Sequence, residues 1–223
     1  MHSPHNTPIP ERVPVGVLSG FAVAAMCIAY AGVLAMGLLT LPSPDQAIQD
    51  PWFTLMELLI LGIAPAMVGV TVGVHGMATD ERKSLSLLSI IFMSMCAVVT
   101  CCVHFSVLTL SNHPAVAGHE WANLMFSFRW PSVAYALDIL AWDLFFALAA
   151  LFAGLAIHGA GLARFISALL YASAALAFVG LAGIPLENMN IRNIGIIGYV
   201  VLFPVAAVLL ARMSWRQRSR GAA

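Results

Sequence analysis

The chain has 223 residues, of which 61% are hydrophobic and only 9% are charged. Soluble domains contain roughly 25% charged residues, so this composition excludes an ordinary water-soluble fold and indicates a protein whose main solvent is lipid. Basic and acidic residues balance to a formal net charge of zero. We therefore expect the lipid bilayer as a partner and no nucleic acid, because there is no basic excess to attract phosphate.

Six long apolar segments follow one another along the chain. Each is long enough to cross a bilayer, which takes about 20 helical residues, and lipid leaves the helix as the economical way to satisfy the backbone. The sequence therefore predicts an all-α, polytopic integral membrane protein, a bundle of about six transmembrane helices. The predicted spans are 15–41, 52–78, 84–110, 132–158, 163–184 and 193–212.

The two ends of the chain differ from this central region. Residues 1–14 contain four prolines and are predicted to be a flexible lead-in, since proline interrupts a helix. The first apolar run, Val13 to Leu41, exceeds the apolar core of a signal peptide, roughly 7–15 residues, so we expect it to be retained. Residues 15–212 then form the transmembrane domain, and 213–223 form a basic cytoplasmic tail.

The distribution of Lys and Arg predicts the orientation. Cytoplasmic loops and tails of membrane proteins hold an excess of basic residues. In a six-span topology only Arg129 and Arg192 lie on the outer side. We therefore expect a multi-pass protein of the cell membrane with both termini cytoplasmic and the loops 42–51, 111–131 and 185–192 outside. Eight basic residues lie on the cytoplasmic side: Arg12, Arg82, Lys83, Arg164, Arg212, Arg216, Arg218 and Arg220.

Three ionisable residues on three different spans share one predicted depth. At about 1.5 Å of rise per residue, Glu57, His104 and Asp138 each lie roughly 9–11 Å below the outer surface. Burying such side chains in hydrocarbon is costly, so each is a candidate functional residue. The sequence predicts that the three converge on a substrate-binding pocket open to the outer face. An interhelical polar clamp that only fixes helix packing is the alternative.

Three further residues are assigned to this predicted pocket because of their positions near Asp138. Tyr135 and Trp142 share a helical face with Asp138, and Arg129 lies in the loop above it. A second acid, Asp143, lies five residues after Asp138, about 140° around an α-helix, so the two should not point into one small site. We expect Asp143 to bond a neighbouring helix or to hold a proton, and Asp138 and Asp143 are the predicted proton-exchange residues.

The remaining polar residues carry no specific signature. His113, His119 and Glu120 in the loop 111–131 are residue types that can bind a divalent metal, but their spacing matches no specific ligand signature, so a solvated or interfacial loop is favoured and no metal site is predicted. The segment 187–193 either completes a polar vestibule or caps the last helix. No catalytic motif is present and the sequence specifies no cofactor.

Three classes of function fit this pattern. The leading interpretation is a small membrane transporter or ligand-binding protein, proton-linked, that takes a small-molecule or ion ligand in the outer half of the bundle. The second is an intramembrane enzyme that applies His and carboxylate acid/base chemistry to an apolar substrate, which would need a lateral opening to lipid. The third is an accessory subunit with a filled core. The sequence indicates no oligomeric state.

Overall fold

The computed structural model describes residues 15–43 and 46–221, with side chains through Arg216. The predicted lead-in 1–14, including Arg12, lies outside the described residues, as do Asp45 and the side chains of Arg218 and Arg220. Every regular element described is helical, and six of the helical stretches are long and apolar enough to cross a membrane. The protein is therefore a six-helix membrane bundle, which confirms the predicted fold class.

The helices follow the predicted spans with small shifts at their ends. The first span is α1, the second α2 and the third α3, after a 3₁₀ turn at Asp80–Arg82. A short helix, α4, lies in the loop before the fourth span. The bounds are α1 Val15–Leu39, α2 Trp52–Met77, α3 Lys83–Leu110, α4 Glu120–Phe126, α5 Val133–Ile139, α6 Phe146–Ala156, α7 Leu162–Leu181, α8 Met189–Ile197 and α9 Phe203–Gly221.

Two of the six spans contain a π-helical segment. The fourth span runs through α5, a π-helix at Leu140–Phe145, and α6. The sixth runs through α8, a π-helix at Gly198–Leu202, and α9. A π-helix closes i→i+5 hydrogen bonds in place of i→i+4, so it changes which residues share a face, and such segments occur frequently at functional sites. The helix α9 continues to Gly221, so much of the predicted tail 213–223 is helical.

The sixth span begins earlier than predicted. The sequence pattern placed its start at residue 193, whereas α8 begins at Met189. The side chain of Asn188 caps it by accepting hydrogen bonds from the backbone N–H groups of Asn190 and Ile191. The capping alternative for the segment 187–193 is therefore confirmed, and Arg192 lies inside the helix.

The two ends of the bundle are distinguished by the segments they carry. We call the end where α1 begins and α9 ends the terminal face, and the end with residues 40–51, 111–132 and 182–188 the loop face. Arg82, Lys83 and Arg164 lie near the terminal face, as the antiparallel order of the spans requires. Which face is cytoplasmic stays a prediction.

The fourth span lies at the centre of the bundle and the first at its edge. In the most apolar stretch of Val133–Ala156, 61% of residues are buried, against 11% in Val15–Leu39. Around the fourth span, Phe146 packs edge-on against Tyr199 and Phe203 of the sixth. Ionisable residues of the fourth span are therefore enclosed by protein more than by lipid.

Close backbone contact holds the first span in place. A Cβ added to Gly16 would lie 2.5 Å from the Cα of Gly73 in α2, and one added to Gly20 would lie 2.5 Å from the carbonyl oxygen of Ala207 in α9. Small residues at these crossings let the helices approach to van der Waals distance, which is how membrane helices associate without a hydrophobic driving force. The glycines of α1 therefore serve packing.

Candidate functional site

Five ionisable side chains form one continuous chain near the loop face. We call this chain the polar network: Glu57 contacts His104, His104 faces Asp138, and Arg192 contacts both Asp138 and Asp143. It joins the second, third, fourth and sixth spans. Because its members come from four helices, their positions depend on how the bundle packs, and none of the contacts is local in sequence.

His104 lies between two carboxylates. Its Nδ1 is 2.7 Å from Oε2 of Glu57, a hydrogen-bond distance, and its Nε2 is 3.6 Å from Oδ1 of Asp138, which is an ion-pair distance beyond hydrogen-bond length. The predicted convergence of Glu57, His104 and Asp138 is therefore confirmed, with a carboxylate–imidazole pair in direct contact. Their predicted role in binding substrate is a separate question.

The loop before the fourth span covers His104. The ring of Phe128 stacks on the imidazole with a centroid distance of 4.9 Å and an interplanar angle of 27°. Ser132 caps α5 by accepting from the backbone N–H of Tyr135, and its hydroxyl donates to the carbonyl of Ser127. These bonds fix the segment 127–132, which holds the Phe128 ring against the imidazole of His104.

Arg192 is the member of the polar network that the sequence pattern did not assign to the site. Its position had been assigned to an outward loop, but it lies in the first turn of α8 and only 4% of it is exposed. Its NH2 lies 3.1 Å from Oδ2 of Asp138, and its guanidinium carbon lies 4.9 Å from the centre of the Tyr135 ring. The signal that could have revealed it was Asn188, a strong N-cap residue four positions earlier.

The prediction that Asp138 and Asp143 point apart is wrong. Both carboxylates contact the guanidinium of Arg192, Asp138 at 3.1 Å and Asp143 at 3.3 Å. The 140° separation assumed α-helical geometry throughout, whereas the π-helix Leu140–Phe145 begins between the two residues. Its i→i+5 pattern brings residues five apart toward the same face, which is the spacing of these two acids.

Asp143 is the most enclosed member of the network. None of its surface is exposed, and neither carboxylate oxygen has a hydrogen-bond partner among the described residues. The Nε of Arg192 is near enough for an ion pair but is not aligned for a hydrogen bond, so it is unsatisfied too. The misalignment outweighs the short distance, because hydrogen bonds weaken steeply when misaligned. A buried carboxylate without a hydrogen bond is costly.

The charges of the polar network do not balance. It contains three carboxyl groups, one guanidinium and one imidazole. If every acid is ionised, one negative charge remains even when His104 is charged, and two remain when it is neutral. Enclosed protein interiors penalise such an excess, so a proton or another cation has to be shared among these groups.

The other predicted site residues occupy different surroundings. Tyr135 is at the network, beneath the Arg192 guanidinium. Trp142 is buried in the core, with its ring 4.9 Å from that of Tyr199. Arg129 lies exposed in the loop before α5, and the cation that contacts Asp138 is Arg192.

Two cavities lie beside the network. A groove of about 550 Å³ between the fourth and fifth spans is lined by apolar residues including Ile139, Leu140 and Phe178. A second cavity of about 320 Å³ lies between α3, α4 and α5. Neither cavity is lined by a member of the polar network. Within the described ranges, no group of three or more His, Cys, Asp or Glu side chains is arranged to hold a metal ion.

Comparisons with protein-family models, with curated proteins and with solved structures give no match to this chain.

Proposed function

We propose that this protein is a membrane transporter that moves protons along the membrane potential, and that the polar network binds and releases these protons. The observation that carries the proposal is the charge imbalance of the network. Three acids and two bases are enclosed together, so the number of bound protons is the simplest variable that can change the net charge at the site. Intramembrane acids and histidines of this kind are the usual elements of proton relays in pumps and transporters.

The accessibility of the network supports a path from the loop face. The side chain of Asp138 is 13% exposed, more than those of its partners Arg192 at 5% and Asp143 at 0%. Asp138 also lies between His104 and Arg192, the two basic members. We infer that Asp138 exchanges protons with water and passes them to the rest of the network.

A purely structural role fits the charges less well. A polar clamp between helices is most stable when its donors and acceptors are satisfied and its charges cancel. Here the deepest acid, Asp143, lacks hydrogen bonds, and the charges cancel only when the network holds two protons, such as one on His104 and one on an acid. Such a network is a poor clamp, but it fits a site whose protonation changes.

The enzyme alternative rests on the groove of about 550 Å³, which is the kind of lateral opening that a lipid substrate would need. Acid/base catalysis requires the reacting residue to reach the substrate. The groove is lined by apolar residues, and both nitrogens of His104 face carboxylates. We therefore favour proton transfer within the network over chemistry in the groove.

The proposal is tested with the full-length protein in liposomes that contain a pH-sensitive dye. A membrane potential imposed with potassium and valinomycin should drive proton movement through the parent protein, and Asp138→Asn should reduce the rate at least tenfold. Asp50→Asn is the matched control, because Asp50 lies exposed outside the spans and should leave the rate unchanged. No flux above empty liposomes, or full flux in Asp138→Asn, would overturn the proposal.

A further inference from the structure

A second acid lies deeper in the membrane than the rest of the network. Counted from Pro131, Asp143 is twelve residues along, roughly 18 Å of helix rise, whereas Asp138 is seven residues along, roughly 11 Å. Since the hydrocarbon core is about 30 Å thick, Asp143 lies near its middle. It is fully buried and both of its oxygens lack hydrogen bonds.

We propose that Asp143 is the group that carries the proton at mid-membrane, and that Arg192 is a shared counter-ion that moves between Asp143 and Asp138. This inference rests on the proposed function and names the residues that perform it. With Asp143 protonated, Arg192 pairs with Asp138. When Asp143 loses its proton, Arg192 turns to Asp143, and the proton is transferred to Asp138, where an O–H bond forms as the one at Asp143 breaks.

The packing around Asp143 favours a proton over a metal ion. A Cβ added to Gly195 would lie 2.6 Å from Oδ1 of Asp143, and one added to Gly180 would lie 3.2 Å from the same atom. Helix backbone therefore lies against this oxygen from two sides. Ca²⁺ and Mg²⁺ require six or more oxygen ligands, and even a smaller coordination shell would need space that these glycines occupy. A proton needs no such shell.

The geometry of Arg192 favours a moving counter-ion. Its NH2 is hydrogen-bonded to Asp138 at 3.1 Å, while its Nε lies 3.3 Å from Asp143 without alignment. A guanidinium presents its donors in a rigid planar fork, and in this position the fork is aligned with Asp138 and not with Asp143. A small rotation over the face of Tyr135 would exchange one partner for the other.

The other titratable groups near Asp143 are few. The ones that interact with its charge are Arg192 from α8, Asp138 and Tyr135 from its own span, and Tyr199 from the sixth span. Of these, Arg192 is the cation, and it lies within ion-pair distance of Asp143. Whether Asp143 holds a proton therefore depends mainly on where the Arg192 guanidinium lies.

Infrared spectroscopy of the full-length protein in liposomes tests this inference. A protonated carboxyl group has a carbonyl stretch that a carboxylate lacks, so the parent should show this band and Asp143→Asn should lose it. Asp50→Asn should keep the band, because Asp50 lies exposed outside the spans. Asp138→Asn removes the competing acceptor, so Arg192 should pair with Asp143 and the band should fall to less than half.

Each result decides the inference separately from the proposed function. A parent without the band, or a band that survives in Asp143→Asn, would overturn the assignment to Asp143 even if proton flux is observed. An undiminished band in Asp138→Asn would overturn the inference that Arg192 is a counter-ion shared by Asp138 and Asp143. If no proton flux is observed but the band depends on Asp143, the assignment of the bound proton to Asp143 stands. The transport proposal is then overturned. If Asp143→Asn does not fold, Gly195→Ala replaces it: its Cβ presses on Oδ1, so an unshifted band would contradict the inference.

Discussion

The hydrogen bond between Glu57 and His104, 2.7 Å long, joins the second span to the third near the loop face. Both side chains are buried, so neither has water as an alternative partner. Breaking a buried pair in a soluble protein costs about 3–5 kcal/mol, because an uncompensated charge is left behind. Polar pairs between membrane helices are weaker, about 0.6 kcal/mol on average, because the unfolded chain in the membrane finds other partners.

A double-mutant cycle should show which of these regimes applies to the pair. We expect Glu57→Gln and His104→Gln to have a coupling free energy of about 1–2 kcal/mol, at the upper end of the membrane values because the contact is short and charged. The measurement is the free energy of unfolding in mixed detergent for the parent, both single variants and the double variant. A coupling near zero would mean that the two residues do not stabilise each other.

Arg192→Met should destabilise the protein by about 3 kcal/mol, since it leaves Asp138 and Asp143 without a cation in an enclosed site. Arg192→Lys should recover only part of the loss, because an ammonium cannot reproduce the planar fork. Thermal unfolding in detergent measures both. Arg164→Met is the comparison: Arg164 is exposed at the start of α7, and its loss should cost no more than about 0.5 kcal/mol. Equal losses of stability in the two arginine variants would show that Arg192 does not act as the buried cation of the polar network.

Phe128→Ala should expose His104 to reagents in water, because the stacked ring is removed from the imidazole. We expect at least a threefold faster reaction of His104 with diethylpyrocarbonate, followed by mass spectrometry. His113 in the exposed loop serves as an internal reference and should react at an unchanged rate. Unchanged reactivity of His104 in the variant would show that Phe128 does not control access from the loop face.

The predicted orientation requires both termini to be cytoplasmic and the loop face to be external. Reporter fusions after residues 118 and 216 should therefore report opposite sides of the membrane, with the second one cytoplasmic. The basic residues Arg82, Lys83 and Arg164 near the terminal face provide the physical reason. A cytoplasmic reporter at residue 118 would reverse the orientation and place the polar network near the inner surface.

The sequence by itself determined the helices and the depth of the site. Apolar length fixes where a chain can cross a bilayer, and the helical rise then fixes how deep each residue lies. For this reason Glu57, His104 and Asp138 could be assigned to one layer before any contact was known. Both quantities depend only on residues close together in the chain, so they survive folding unchanged.

The tertiary structure decided which side chains meet within that layer. The rotation of each helix depends on its neighbours, such as the glycines of α7 and α8 that admit the carboxylate of Asp143. The π-helix at Leu140–Phe145 brought Asp143 onto the same guanidinium as Asp138, although regular α-helical spacing predicted the opposite. Arg192 became a buried counter-ion because α8 starts at Met189 and two acids compensate its charge. These outcomes follow from the balance of charge and packing across four spans, which no local pattern in the sequence contains.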